Sequence, residues 1–182
     1  NGFKNNTLYI PEDQVVTLNL NGYTINRGLT EDMDDGEVIH VDSGAQLIIN
    51  NGTITGGFSN SGAGGIYIES GANVTLNNVN VDGNKVKNDD GAGIGVYGGA
   101  TLTMNGGSVS GNYLDEKHIG VDIIYPYGVV YVKDSTAIFN GVTFDGNYAD
   151  TYADGLVIYA VGSTVKMNQC TVSNNATKGY AS

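Results

Sequence analysis

Asp42, Glu69 and His40 are the side chains in this sequence best placed for chemistry. Asp42 and Glu69 lie 27 positions apart, which is one period of a repeat that runs through the chain. They therefore occupy equivalent places in successive units, and their carboxylates are expected to be close. Two such groups can split their pKa values and act as acid and base, or they can share a cation. His40 is the histidine nearest to them and would be the general base. The plainer alternative is a pair of exposed carboxylates that point apart beside an incidental histidine.

A second group is richer in tyrosine. Tyr113, Asp115, Tyr125, Tyr127, Tyr148, Asp150, Tyr152 and Asp154 all fall in long connections between strands. Aromatic faces can stack on sugar rings, and carboxylates accept hydrogen bonds from hydroxyls. Asp34 and Asp35, with Asp89 and Asp90 beside Asn88, are the candidates for calcium, because clustered carboxylate and amide oxygens suit a hard cation. No segment matches the full calcium-loop pattern. An acidic edge of this kind also serves simply to keep a repetitive β protein soluble.

The elements that hold these residues follow from the repeat. One unit reads Gly65-Ile66-Tyr67-Ile68, Gly71-Ala72-Asn73-Val74-Thr75-Leu76-Asn77 and Val79-Asn80-Val81-Asp82-Gly83-Asn84. The next reads Gly93-Ile94-Gly95-Val96, Gly99-Ala100-Thr101-Leu102-Thr103-Met104-Asn105 and Ser108-Val109-Ser110-Gly111-Asn112. Asparagines at 21, 50, 77, 105, 140 and 168 mark the frame, with spacings of 29, 27, 28, 35 and 28.

Each unit holds three short period-two runs, the pattern of three strands. Stacking each strand on its equivalent in the next unit pairs every backbone group except those at the ends. The expected fold is an all-β, right-handed parallel β-helix of about six coils with three strands per coil. Leu47, Val74 and Leu102 form one expected core column. Ile54, Val81, Val109, Phe144 and Val172 form another. The marker asparagines are expected to take the left-handed backbone of a tight corner and to stack their amides. Asn84, Asn112, Asn147 and Asn175 form a second column.

This geometry puts the long connections, roughly 27–37, 57–64, 84–92, 112–127 and 147–154, on one edge of the rod. The segment 113–126 carries the extra seven residues of the 35-residue spacing and should protrude. Whether Tyr131 and Tyr159 face in or out is left open by the differing turn lengths.

Composition supports the same class. The 182 residues include 28 glycines, 22 asparagines and only 2 prolines, which argues against a helical bundle or a collagen. With 40% hydrophobic residues the chain can bury a core, which argues against disorder. A net charge of −11 argues against nucleic acid or an anionic membrane as partner. No run approaches 18 apolar residues, so no membrane insertion by this segment is expected. Cys170 is the single cysteine, which forbids an internal disulfide; it reads as a buried structural thiol. Both ends stop in patterned sequence, the mark expected of one β-helix domain, 1–182, within a longer protein.

These residues resemble the right-handed parallel β-helices of the pectate-lyase-like superfamily. A short corner with an asparagine ladder between the second and third strands is typical of that fold. Val15-Val16-Thr17-Leu18-Asn19-Leu20-Asn21-Gly22-Tyr23-Thr24-Ile25 looks like the first coil of bacterial surface proteins with pectate-lyase-like adhesive regions. Val81-Asp82-Gly83-Asn84 and Phe144-Asp145-Gly146-Asn147 look like one half of the repeats of chlamydial polymorphic outer-membrane proteins. Gly64-Gly65-Ile66 and Gly91-Ala92-Gly93-Ile94 match the other half loosely.

In enzymes of this superfamily the groove lies on the first-strand face, where His40, Asp42, Tyr67, Glu69 and Tyr97 point outward. Its lyases use basic residues, yet Arg27 is the only arginine here and the lysines form no cluster. The Gly-His-Gly and Arg-x-Lys motifs of its pectin hydrolases do not occur. The resemblance thus implies a non-catalytic adhesive or ligand-presenting module. It would be extracellular or on a bacterial cell surface, binding a glycan or a host or cell-surface protein alongside neighbouring domains of its own chain. No cofactor is expected beyond possible calcium. The alternatives are a polysaccharide-active lyase or hydrolase using Asp42, Glu69 and His40, and a passive spacer.

Overall fold

The computed structural model describes residues 6–87, 89–115, 128–150 and 155–178. Tyr125, Tyr127, Tyr152 and Asp154, and most of the 113–126 connection, lie outside the described residues.

The period-two runs become strands because alternate residues are apolar. In Thr101–Ser110, Leu102, Met104 and Val109 point inward and are fully buried. Every pairing is parallel, between a strand and its equivalent one coil away, as in Leu102↔Val74 and Leu102↔Ala137. The first sheet stacks Leu8–Ile10, Ile39–Val41, Ile66–Ile68, Ile94–Tyr97, Val130–Lys133 and Ile158–Val161. Its six rungs span about five full turns of a parallel β-helix. Both expected core columns form, and Val81 pairs with Ile54 and Val109 in register.

Three sheets are present, but their boundaries differ from the expected ones. In the second, third and fourth coils the second and third runs are one continuous strand, Gln46–Thr55, Asn73–Asp82 and Thr101–Ser110. The asparagine corner bends the chain without ending the ladder, so these runs share one nine-stranded sheet. The third sheet is built from Phe58–Ser59, Lys85–Lys87, Tyr113–Asp115 and Tyr148–Ala149, all expected in connections, with Ala176–Thr177 as its last strand. Val86, Leu114 and Ala149 are its buried anchors. Their runs of two or three residues, flanked by charge, carry too short an alternation to read as strands.

The outer asparagine ladder runs through Asn19, Asn50, Asn77, Asn105, Asn140 and Asn168. Each amide nitrogen donates to the preceding side-chain oxygen at 2.8–2.9 Å. The first member is Asn19 rather than Asn21, because the strand Val15–Asn19 pairs in register with residues 46–50. The ladder residues keep extended backbones. The left-handed corner falls one residue later, at Asn51, Asn78, Gly106 and Gly141. A residue must stay in the strand for its amide to point along the stack.

The inner ladder of Asn84, Asn112 and Asn147 is buried, as the apolar core requires only if every amide is paired. Asn112 Nδ2 donates to Val81 O at 2.9 Å and to Asn147 Oδ1 at 3.2 Å. Its Oδ1 accepts from Asn84 N at 3.0 Å.

The two ends differ from the middle. In the last coil Val172 is 55% exposed, whereas Val109 in the same column is fully buried. Cys170 is half-buried and packs against the core, its thiol donating to Phe139 O at 3.4 Å.

Candidate functional site

On the first sheet the inward positions are aliphatic and the central outward position is aromatic: Leu8-Tyr9-Ile10, Ile39-His40-Val41, Ile66-Tyr67-Ile68. Parallel pairing then stacks the outward rings. Tyr9, His40, Tyr67, Tyr97, Tyr131 and Tyr159 form a column with successive centroid separations of 5.2, 5.1, 4.9, 5.5 and 6.0 Å. Tyr131 and Tyr159 thus face outward, and Tyr131 is nevertheless covered to 9% exposure by its neighbours.

Asp42 and Glu69 follow the strands Ile39–Val41 and Ile66–Ile68 directly. Asp42 N donates to Ile10 O at 3.0 Å and Glu69 N to Val41 O at 2.9 Å, so the ladder carries both residues one rung apart. His40, Asp42 and Glu69 each present a donor atom within 4.8 Å of the other two. All three expected residues are therefore brought together, and the carboxylates do not point apart.

Three further residues complete the cluster. Glu37, only 3% exposed, meets His40 Nδ1 at 3.0 Å, while Glu69 Oε1 meets His40 Nε2 at 3.1 Å. Ser43 Oγ donates to Glu69 Oε2 at 2.9 Å. The Tyr9 hydroxyl donates to Asp42 Oδ2, and Ser43 N to Asp42 Oδ1 at 2.9 Å.

The electrostatics follow from these contacts. Burial pulls the His40 pKa down, but the hydrogen bonds and charges of Glu37 and Glu69 overcome it and leave it raised. The Tyr9 hydroxyl, with the Ser43 amide, holds Asp42 below the usual carboxylate range despite partial burial. Tyr9 itself is pushed up to about 12, chiefly by its bond to Asp42.

A cleft of about 220 Å³ opens beside the cluster, lined by Asp35, Glu37, His40, Ser61, Tyr67 and Glu69. Arg27 reaches back from the first coil to the carbonyls of Asp35 and Glu37.

The tyrosine edge is arranged differently from expectation. Tyr113 and Tyr148 pair in register on the third sheet and stack at 5.7 Å with an interplanar angle of 3°. Their facing surfaces are spent on each other. The Tyr113 hydroxyl donates to Asp150, and Lys85 Nζ lies 5.9 Å over the Tyr113 ring. Burial and then the Asp150 charge raise the pKa of Asp115. The edge is also less acidic than it reads, since Lys87 pairs with Asp32 and Lys178 lies 3.9 Å from Asp150.

The calcium candidates do not converge among the described residues. Asp34 and Asp35 are exposed. Asp89 spends its oxygens on Gly62 N and Asp90 N, both at 2.8 Å.

The participation of Glu37, Tyr9 and Ser43 is not apparent from residue type. Tyr9 had a signal, since Leu8-Tyr9-Ile10 repeats the pattern of Ile39-His40-Val41. Glu37 sits three residues before His40 in what reads as a connection, and nothing in the sequence marks it as buried.

The fold and site define a parallel β-solenoid with a polar cluster on its first face. The chain belongs to the family described as right-handed beta helix region, whose model matches residues 14–181. The coil is right-handed accordingly. No curated protein and no solved structure matches the chain.

Proposed function

We propose that this chain is an extracellular, non-catalytic ligand-presenting module of a bacterial surface protein, and that it binds a glycan in the cleft beside His40 and Glu69. The observation that carries the reading is the cleft itself. It gathers three carboxylates, an imidazole and Tyr67 on a rigid scaffold, a donor and acceptor set suited to sugar hydroxyls. The resemblance to adhesive β-helices supports the location. This cleft replaces the Tyr113–Tyr148 edge as the preferred contact, because those rings face each other.

Glycan-array binding that falls on Glu69→Gln and Tyr67→Ala, and survives Tyr148→Ala, is the expected result. Binding to no glycan, or loss only on Tyr148→Ala, overturns it.

The Glu37–His40 pair favours one second reading, a polysaccharide-active enzyme in which Glu37 orients His40 as general base. Shortened products from a polysaccharide panel, abolished by His40→Ala, would establish it.

A further inference from the structure

We propose that His40, Asp42 and Glu69 bind a first-row divalent metal ion of the zinc or manganese class. The inference stands on the cluster alone and does not need a glycan in the cleft. His40 Nε2 and Glu69 Oε1 are 3.1 Å apart. Two neighbouring ligands on an ion with bonds of about 2.1 Å stand about 3.0 Å apart in octahedral geometry and about 3.4 Å apart in tetrahedral geometry, so this pair is already close to ligand spacing. An Asp42 oxygen completes a set whose members all lie within 4.8 Å.

Each of the three donors is also held from behind. Glu37 fixes His40 through Nδ1 at 3.0 Å and leaves Nε2 directed at the carboxylates. Tyr9 and the Ser43 amide hold Asp42, and the Ser43 hydroxyl holds Glu69 at 2.9 Å. Outer partners of this kind orient metal ligands and raise their basicity.

Charge points the same way. Among the described residues neither Asp42 nor Glu69 has a lysine or arginine within 4.0 Å, and the imidazole between Glu37 and Glu69 is the one cationic partner of the cluster. A divalent ion would offset both carboxylates. The side chains are reachable, with His40 17% and Glu69 33% exposed, and the cleft leaves room for water or a ligand oxygen on the ion.

The donor set decides the ion. Calcium and magnesium take oxygen ligands, whereas an imidazole with two carboxylates suits zinc, manganese or their neighbours.

The test is calorimetric titration of the chelator-treated protein with zinc chloride, manganese chloride and calcium chloride in parallel. One zinc or manganese ion per chain is expected, bound at least tenfold more weakly by His40→Ala and by Glu69→Gln. Glu37→Gln should weaken binding about tenfold while leaving all three ligands present. Manganese should also broaden the His40 imidazole resonances of the unsubstituted protein, a reading that needs no variant to fold. Absence of binding of both zinc and manganese at millimolar ion, binding unchanged in the ligand variants, or manganese that binds without broadening the His40 resonances would each overturn the proposal. Tighter binding of calcium would overturn the choice of ion. Glycan binding that persists in chelator, or metal binding without any glycan, separates this result from the function proposed above.

Discussion

The ring of Tyr97 lies over the backbone of Gly95, so close that a Cβ on Gly95 would come within 2.7 Å of the ring edge. Gly95 pairs with Tyr67 on one side and Tyr131 on the other, and it is the one rung of the aromatic column without a ring of its own. Tyr97, two residues on, folds back to fill the gap, 4.9 Å from Tyr67 and 5.5 Å from Tyr131.

Gly95→Ala is therefore expected to push Tyr97 out of the column and to cost about 1–3 kcal/mol. The double variant Gly95→Ala/Tyr97→Ala should cost less than the sum of its parts by at least about 0.5 kcal/mol. Urea unfolding of the four proteins measures both. Additive losses would show that the ring does not depend on the glycine.

Asn112→Ala should be far more damaging than Asn105→Ala. The first strips a buried amide that bonds Val81 O and Asn84 N, and both lose that bond in the apolar interior. The cost is about 2–4 kcal/mol. The second removes one member of a solvent-exposed ladder, worth about 1 kcal/mol or less. Equal destabilisation would contradict the buried ladder's structural role.

Burial along one column sets a gradient. Val109→Ala should cost about 2–3 kcal/mol, and Val172→Ala below about 1 kcal/mol, because Val172 is already 55% exposed. Amide exchange should likewise be fastest in the last coil and slowest in Asn73–Asp82 and Thr101–Ser110. Uniform protection from end to end would count against the open terminal coil.

The His40 cluster makes stability depend on pH in two directions. The His40 pKa is raised on folding, so its contribution is complete below about 6.5 and is lost as the pH rises through the raised value. Asp42 is depressed, so its contribution is present above about 3.9 and lost as the pH falls through its lowered value. Stability attributable to the cluster should peak between these limits. An NMR titration placing His40 below an ordinary imidazole would refute the balance of Glu37 and Glu69 against burial.

Much of the scaffold is legible in the sequence. Leu102, Met104 and Val109 betray their inward face by alternation, and the matching of Asp42 with Glu69 follows from counting one period. The third sheet is not legible, because Lys85-Val86-Lys87 and Tyr113-Leu114-Asp115 offer a single apolar residue each. Asn19 could be mistaken for its neighbour Asn21 because the first coil has two asparagines in the same frame, and only pairing with Asn50 distinguishes them.

By itself the sequence determines the period, the core columns and the rungs that carry Asp42 and Glu69. These depend on alternation and spacing along the chain, and parallel stacking converts both directly into position. Tertiary structure alone decides that Glu37 is buried against His40, that Tyr9 and Ser43 hold the two carboxylates, and that Tyr97 occupies the space above Gly95. Those relationships depend on side-chain rotamers and on the path of the connections, and a one-dimensional repeat constrains neither.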